Sequence, residues 1–239
     1  MADYNQALKI NPNDAEVYYN RGVARSALEE KQGAIADYTQ ALKINPNLAL
    51  AYMNRGNTRS ALGEKQGAIA DYNQALKINP NYAEVYYNRG LVRLQFGDNK
   101  GAIADFNQAL MINPNYAYAY MNRGNARSAL GEKQGAIADY TQALKINPNY
   151  AYAYNNRGLV RLQFGDNKGA IADYTQALKI NPNLALAYMN RGTVRSALGD
   201  KQGALADLQK AANLFLGFQG QGNVNNYQKV LGLIRQIQQ

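Results

Sequence analysis

Apolar positions along this chain recur in two helical phases separated by short polar breaks. Between residues 34 and 42, Ala34, Ile35, Tyr38, Ala41 and Leu42 fall at i, i+1, i+4, i+7 and i+8, which is one face of an α-helix. Upstream, Ala15, Tyr18, Gly22 and Leu28 mark a second helix, and the polar stretch between two such phases, "LGEKQG" at 62–67, is a turn bounded by glycine. Each second helix runs into "NPN", so that Pro12, Pro46, Pro80, Pro114, Pro148 and Pro182 share one phase. A residue before proline is pushed out of the α region, which predicts that the helix stops at the asparagine.

The whole pattern returns every 34 residues, and Asn-Arg-Gly stands at 20, 54, 88, 122, 156 and 190. Self-similarity at that period predicts stacked helical hairpins rather than a single packed domain. Counting from Ala15, the fourth residue is Tyr18, the eighth Gly22, the twentieth Ala34, the twenty-fourth Tyr38, the twenty-seventh Ala41 and the thirty-second Pro46. These residues resemble the tetratricopeptide repeat. The resemblance implies an all-α fold, a right-handed α-solenoid (superhelix) of tandem hairpins. It divides the chain into a half repeat at 1–14, six units (15–48, 49–82, 83–116, 117–150, 151–184 and 185–218) and a capping helix at 219–239. Starting halfway through a repeat would leave Tyr4, Leu8 and Ile10 without their usual cover. A second period of 68 residues lies over the first, because "NRGLVRLQFGDNKGAIAD" stands at both 88–105 and 156–173.

Two positions depart from the family pattern. The seventh and eleventh residues of every unit are arginine, as in Arg21 and Arg25, where the family usually has Leu and Tyr, and the twenty-third is always aspartate, as in Asp37. Arginine carries a planar fork suited to both carboxylates and aromatic rings, so these groups are expected to stack on tyrosines and join helix to helix.

Composition narrows the chemistry. The chain of 239 residues contains no His and no Cys, which removes thiol nucleophiles, imidazole acid-base chemistry and zinc sites of the Cys/His kind. With no phosphate-binding loop interrupting the repeats, the expectation is a protein that is not an enzyme and needs no cofactor or metal. No apolar run is long enough to span a bilayer and the N-terminus lacks a signal layout, so the expected location is cytoplasmic. The net charge of +9 runs between 0 and +2 per 34-residue unit, without a basic block.

In the tetratricopeptide family the first helices line a concave groove, and this implies a set of ligand-facing residues. The fifth position gives Tyr19, Met53, Tyr87, Met121, Asn155 and Met189, the ninth includes Asn57 and Asn125, and the second includes Tyr118 and Tyr152. The sixth position is asparagine throughout: Asn20, Asn54, Asn88, Asn122, Asn156 and Asn190. A primary amide donates and accepts, so it can bond a peptide backbone whatever its side chains. Packed helices lie about 8–10 Å apart and an extended chain advances about 3.3 Å per residue, so one asparagine meets roughly every third residue. This resembles the asparagine ladder in the tetratricopeptide superhelix of O-GlcNAc transferases. The carboxylate clamp of chaperone-tail-binding members is not implied, since its cationic positions hold Met53, Tyr118 and Asn122 here. The expected function is a protein-protein interaction scaffold that binds a peptide or extended segment. The alternatives are RNA binding through Arg25, Arg59, Arg93, Arg127, Arg161 and Arg195, and self-assembly through the half repeat.

Overall fold

The computed structural model describes residues 1–217 and 221–239; the expected boundary at 218 and residues 219 and 220 of the expected cap lie outside them. Among the described residues there are fourteen helices and no strand. They fall into two units, Met1–Asn115 and Tyr116–Gln239. The first unit holds α1 (Ala2–Ile10), α2 (Ala15–Ala27), α3 (Lys31–Ile44), α4 (Ala49–Ala61), α5 (Lys65–Ile78), α6 (Ala83–Gln95) and α7 (Asn99–Ile112). The second holds α8 (Ala117–Ala129), α9 (Lys133–Ile146), α10 (Ala151–Gln163), α11 (Asn167–Ile180), α12 (Ala185–Ala197), α13 (Lys201–Gly217) and α14 (Gln221–Gln238).

Within each unit, α2 pairs with α3, α4 with α5, α6 with α7, α8 with α9, α10 with α11 and α12 with α13, and each second helix packs on the first helix of the following hairpin. First helices of successive hairpins also touch, as α2 touches α4 and α10 touches α12, whereas no Cα of α3 comes within 8 Å of α5, nor α9 of α11. Each unit therefore bends toward its first helices.

The hairpin seam is built on a glycine opposite a ring. A Cβ added to Gly22 would lie 2.7 Å from Cε1 of Tyr38, and Tyr38 itself is 1% exposed. Around it Ala34, Ala41 and Leu42 are buried, so the helices approach across small side chains while the tyrosine fills the remaining space. The turn needs a left-handed residue, supplied by Gly63 at φ 79° and, in the first hairpin, by Glu29 at φ 60°. At the other end Asn45 leaves the helix at φ −128°, ψ 96°, as expected before proline, and its side-chain oxygen also accepts from the N–H of Asn47 at 3.0 Å.

The first helix differs from expectation. On α1, Leu8 is buried, Tyr4 is half-buried and only Ile10 is widely exposed, because α1 packs on α2 and Asn5 accepts from Arg21 at 2.8 Å. At the other end α13 continues through Leu214, Phe215 and Leu216, and Phe215 is buried in a cluster with Val230 and Ile237 of α14.

Burial holds the tyrosines of this seam in their neutral form. Tyr38 is pushed up to about 12 mainly by loss of water, and Tyr72, Tyr140 and Tyr174 are raised for the same reason. A free tyrosine ionises near pH 10, so above that pH the unfolded chain loses protons that the folded chain keeps, and folding becomes less favourable. Stability is expected to be level up to about pH 9 and to fall by more than about 1 kcal/mol by pH 11. Urea unfolding at the two pH values checks this, with a lower midpoint at the higher pH.

Candidate functional site

Paired arginines fix the helices that carry the inner-face side chains. Arg21 holds Asp37 with two parallel bonds, Nε to Oδ2 at 2.9 Å and Nη2 to Oδ1 at 2.6 Å, and Arg25 Nη1 adds a third at 2.9 Å. The pairing repeats from Arg55 and Arg59 on Asp71 to Arg191 and Arg195 on Asp207. Each seventh-position arginine lies on a tyrosine of its own helix, Arg21 at 5.4 Å from the Tyr18 ring and Arg123 at 5.2 Å from Tyr120. The same guanidinium also reaches back one hairpin, as Arg55 Nη1 does to Thr39 Oγ1 and Arg157 Nη1 to Thr141 Oγ1, both at 3.0 Å. The expected helix-to-helix role is therefore observed. Arg25, Arg59, Arg93, Arg127, Arg161 and Arg195, weighed above as phosphate contacts, all pair with buried aspartates.

On the inner face of the first unit, Val23, Ser26, Ala27 and Lys31 meet Asn54, Asn57, Thr58 and Ala61 around a depression of about 480 Å³ floored by Tyr38. Sixth- and ninth-position residues thus share one concavity. All six sixth-position asparagines, Asn20, Asn54, Asn88, Asn122, Asn156 and Asn190, are half-buried, as are Asn57, Asn125, Tyr19 and Tyr87, while Tyr118 and Tyr152 are exposed. The fifth position differs from the sequence expectation in four hairpins. Met53, Met121, Met189 and Asn155 are 6–7% exposed. Met53 packs with Tyr72 of its own hairpin and Val85 of the next, and Met121 with Tyr140 and Ala153, so their thioethers fill the core between hairpins instead of facing outward. Tyr19 and Tyr87 lean on Tyr38 and Phe106 at centroid distances of 6.0 and 5.9 Å.

The asparagines are already engaged with one another. In the first unit, Asn54 Nδ2 donates to the Tyr19 hydroxyl at 3.1 Å, and Asn88 Nδ2 donates to Asn57 Oδ1 at 3.0 Å, which also accepts from the Tyr72 hydroxyl at 2.8 Å. In the second, Asn190 Nδ2 donates to Asn155 Oδ1 (3.3 Å), Asn155 Nδ2 to Asn156 Oδ1 (3.0 Å), Asn156 Nδ2 to Asn125 Oδ1 (3.0 Å) and Asn125 Nδ2 to Asn122 Oδ1 (3.4 Å). Asn122 Nδ2 donates to the Tyr118 carbonyl at 3.0 Å, and the Tyr140 hydroxyl joins at Asn125 Oδ1 at 2.9 Å. Sequence reading missed this network. Its trace was visible in the pairing of Asn57 with Tyr72 and of Asn125 with Tyr140, against Leu91 with Phe106.

Family profiles described as "Tetratricopeptide repeat" match residues 15–48, 117–150 and 151–184, and one described as "TPR repeat" matches 56–97 and 93–131. The chain belongs to the tetratricopeptide repeat family. Its fold is similar to solved tetratricopeptide structures. The crystal structure of MamA shares 27% identity over 67% of this chain and 94% of that one, with a TM-score of 0.65. A tetratricopeptide repeat protein from Parabacteroides merdae shares 24% identity over 95% and 90%, with a TM-score of 0.69. YrrB, described as a TPR protein with an unusual peptide-binding site, shares 24% over 77% and 95%, with a TM-score of 0.68. No curated protein matches the chain at a significant level. Among the described residues, no helix of this tetratricopeptide chain is long and apolar enough to cross a membrane.

Proposed function

We propose that this chain is a noncatalytic interaction scaffold that holds an extended peptide segment along the first helices, with the sixth-position asparagines bonding the ligand backbone. The observation that carries the reading is the half-buried row of amides, five of which, Asn54, Asn88, Asn122, Asn156 and Asn190, are oriented by a hydrogen bond to a neighbouring group. An amide nitrogen has two hydrogens, and Asn54, Asn88, Asn156 and Asn190 each spend one on that bond. Pre-set side chains lose little freedom when a ligand arrives, which favours binding without new ordering. Membership of a family of interaction scaffolds supports the same reading, as does the fold shared with YrrB, whose own description names a peptide-binding site.

The test begins with 12-residue peptides selected from a randomised library on the full chain. Replacing Asn88, Asn122 and Asn156 together with Ala is expected to weaken binding at least about tenfold, since each lost hydrogen bond is worth roughly 0.5–1.5 kcal/mol. Helical circular dichroism should be unchanged. Retained affinity in a folded triple variant would sink the ladder.

A further inference from the structure

The net charge is divided unevenly between the two units. Met1–Asn115 carries 12 Lys and Arg against 11 Asp and Glu, whereas Tyr116–Gln239 carries 14 against 6, so +8 of the +9 lies in the second unit. The acidic residues cluster in the first part of the chain, 11 of the 17 lying before Tyr116. The inner helices show the same contrast. Exposed Glu16 and Glu84 stand on α2 and α6, while α8, α10 and α12 contain no acidic residue. Beneath them Asp139, Asp173 and Asp207 each answer two arginines, and Glu132, Asp166 and Asp200 meet the second arginine of each pair, so the excess of +8 is carried by the seven lysines and Arg235 of this unit.

Hydrogen-bond polarity adds an independent observation. In the second unit the amide chain runs in one direction, from Asn190 through Asn155, Asn156 and Asn125 to Asn122, and the oxygens of the last four accept from within the protein. What Asn125, Asn156 and Asn190 keep for a ligand is a second N–H each, with one open oxygen, on Asn190, at the end of the chain. Tyr174 is fully buried and its hydroxyl has no partner, because Leu159 stands where Asn125 receives the Tyr140 hydroxyl one hairpin earlier. An orphaned buried donor is costly and calls for an acceptor. Exposed Tyr118 and Tyr152, with Leu159 and Leu186, supply apolar area on the same helices.

We propose that the inner face of the second unit selects hydrogen-bond acceptors, and that its ligand is an extended acidic segment of polypeptide carrying interspersed apolar side chains. This rests on the scaffold reading above and names the chemistry of the partner. Nucleic acid would also bring acceptors and negative charge, but the inner arginines that could fork onto phosphates are already committed to aspartates.

Three fluorescein-labelled 12-residue peptides, with Leu at every third position and Glu, Gln or Lys with Ser elsewhere, are titrated with the full chain alongside a 12-nucleotide oligouridine. The Glu peptide is expected to bind at least about tenfold tighter than the Lys peptide, with affinity falling as salt is raised. Replacing both Tyr118 and Tyr152 with Ala should weaken it about tenfold, whereas Glu16→Gln with Glu84→Gln should leave it unchanged. Equal binding of the Glu and Lys peptides, indifference to the Tyr118 and Tyr152 changes, or tighter binding of the oligonucleotide would overturn the assignment and leave the scaffold standing. Failure of all three peptides to bind would overturn both.

Discussion

Asp139→Ala is expected to lower the unfolding free energy by about 3–5 kcal/mol, the range for removing one partner of a buried ionic cluster. Asp139 is 3% exposed and receives both Arg123, at 2.6 and 3.0 Å, and Arg127, at 2.8 Å. Without it two guanidinium groups face each other in a partly dry seam, and the counter-charge left beside Arg127 is the exposed Glu132 at 3.8 Å. The loss arises from the stranded charges and not from the bond alone, so replacing both arginines with Met in the same chain should recover a large part of it. Urea unfolding of the single and triple variants measures this. If Asp139→Ala costs less than about 1 kcal/mol, the cluster is not what joins α8 to α9.

Gly124→Val is the other large effect, expected at about 3 kcal/mol from overpacking. A Cβ there would stand 2.7 Å from Cε1 and 2.9 Å from Cδ1 of Tyr140, a ring that is itself 2% exposed and fixed by its bond to Asn125. The better helix propensity of a side chain over glycine recovers only a fraction of this. The last hairpin shows what relieves the clash. There Gly192 faces Leu208, whose Cγ would be 3.0 Å away, so Tyr140→Leu in the Gly124→Val background should restore part of the stability. Thermal melts of the single and double variants check it, and no recovery in the double variant would place the strain elsewhere.

Much of the fold was legible because it is written in period and side-chain size. Tyr38 opposite Gly22, the asparagine before each proline and the arginines facing Asp37 each follow from one position and its 34-residue echo. The candidate site was less legible, because it depends on which neighbour covers a residue. Met53 and Tyr118 both stand on helix faces that the family uses for ligands, yet the following hairpin buries one and not the other. The hydrogen bonds among Asn155, Asn156 and Asn125 join positions five, six and nine across two hairpins, a diagonal that no single periodicity picks out. The concentration of charge in the second unit needed the structural division at residue 115 to become visible.

The backward reach of the seventh-position arginine, from Arg55 to Thr39 and Arg89 to Asn73 in the first unit and from Arg157 to Thr141 and Arg191 to Thr175 in the second, gives the joins between hairpins within each unit one kind of fitting. The ninth position does not repeat so simply, since Asn57 serves Asn88 and Asn125 serves Asn156, whereas Leu159 serves none. Packing alone would let the array grow or shrink by one hairpin, but the amides keep register only in steps of two. The natural module of exchange in this chain is therefore 68 residues long, matching the longer echo in its sequence. Recombination in that increment would change the length of the array while keeping the alternation of its amides.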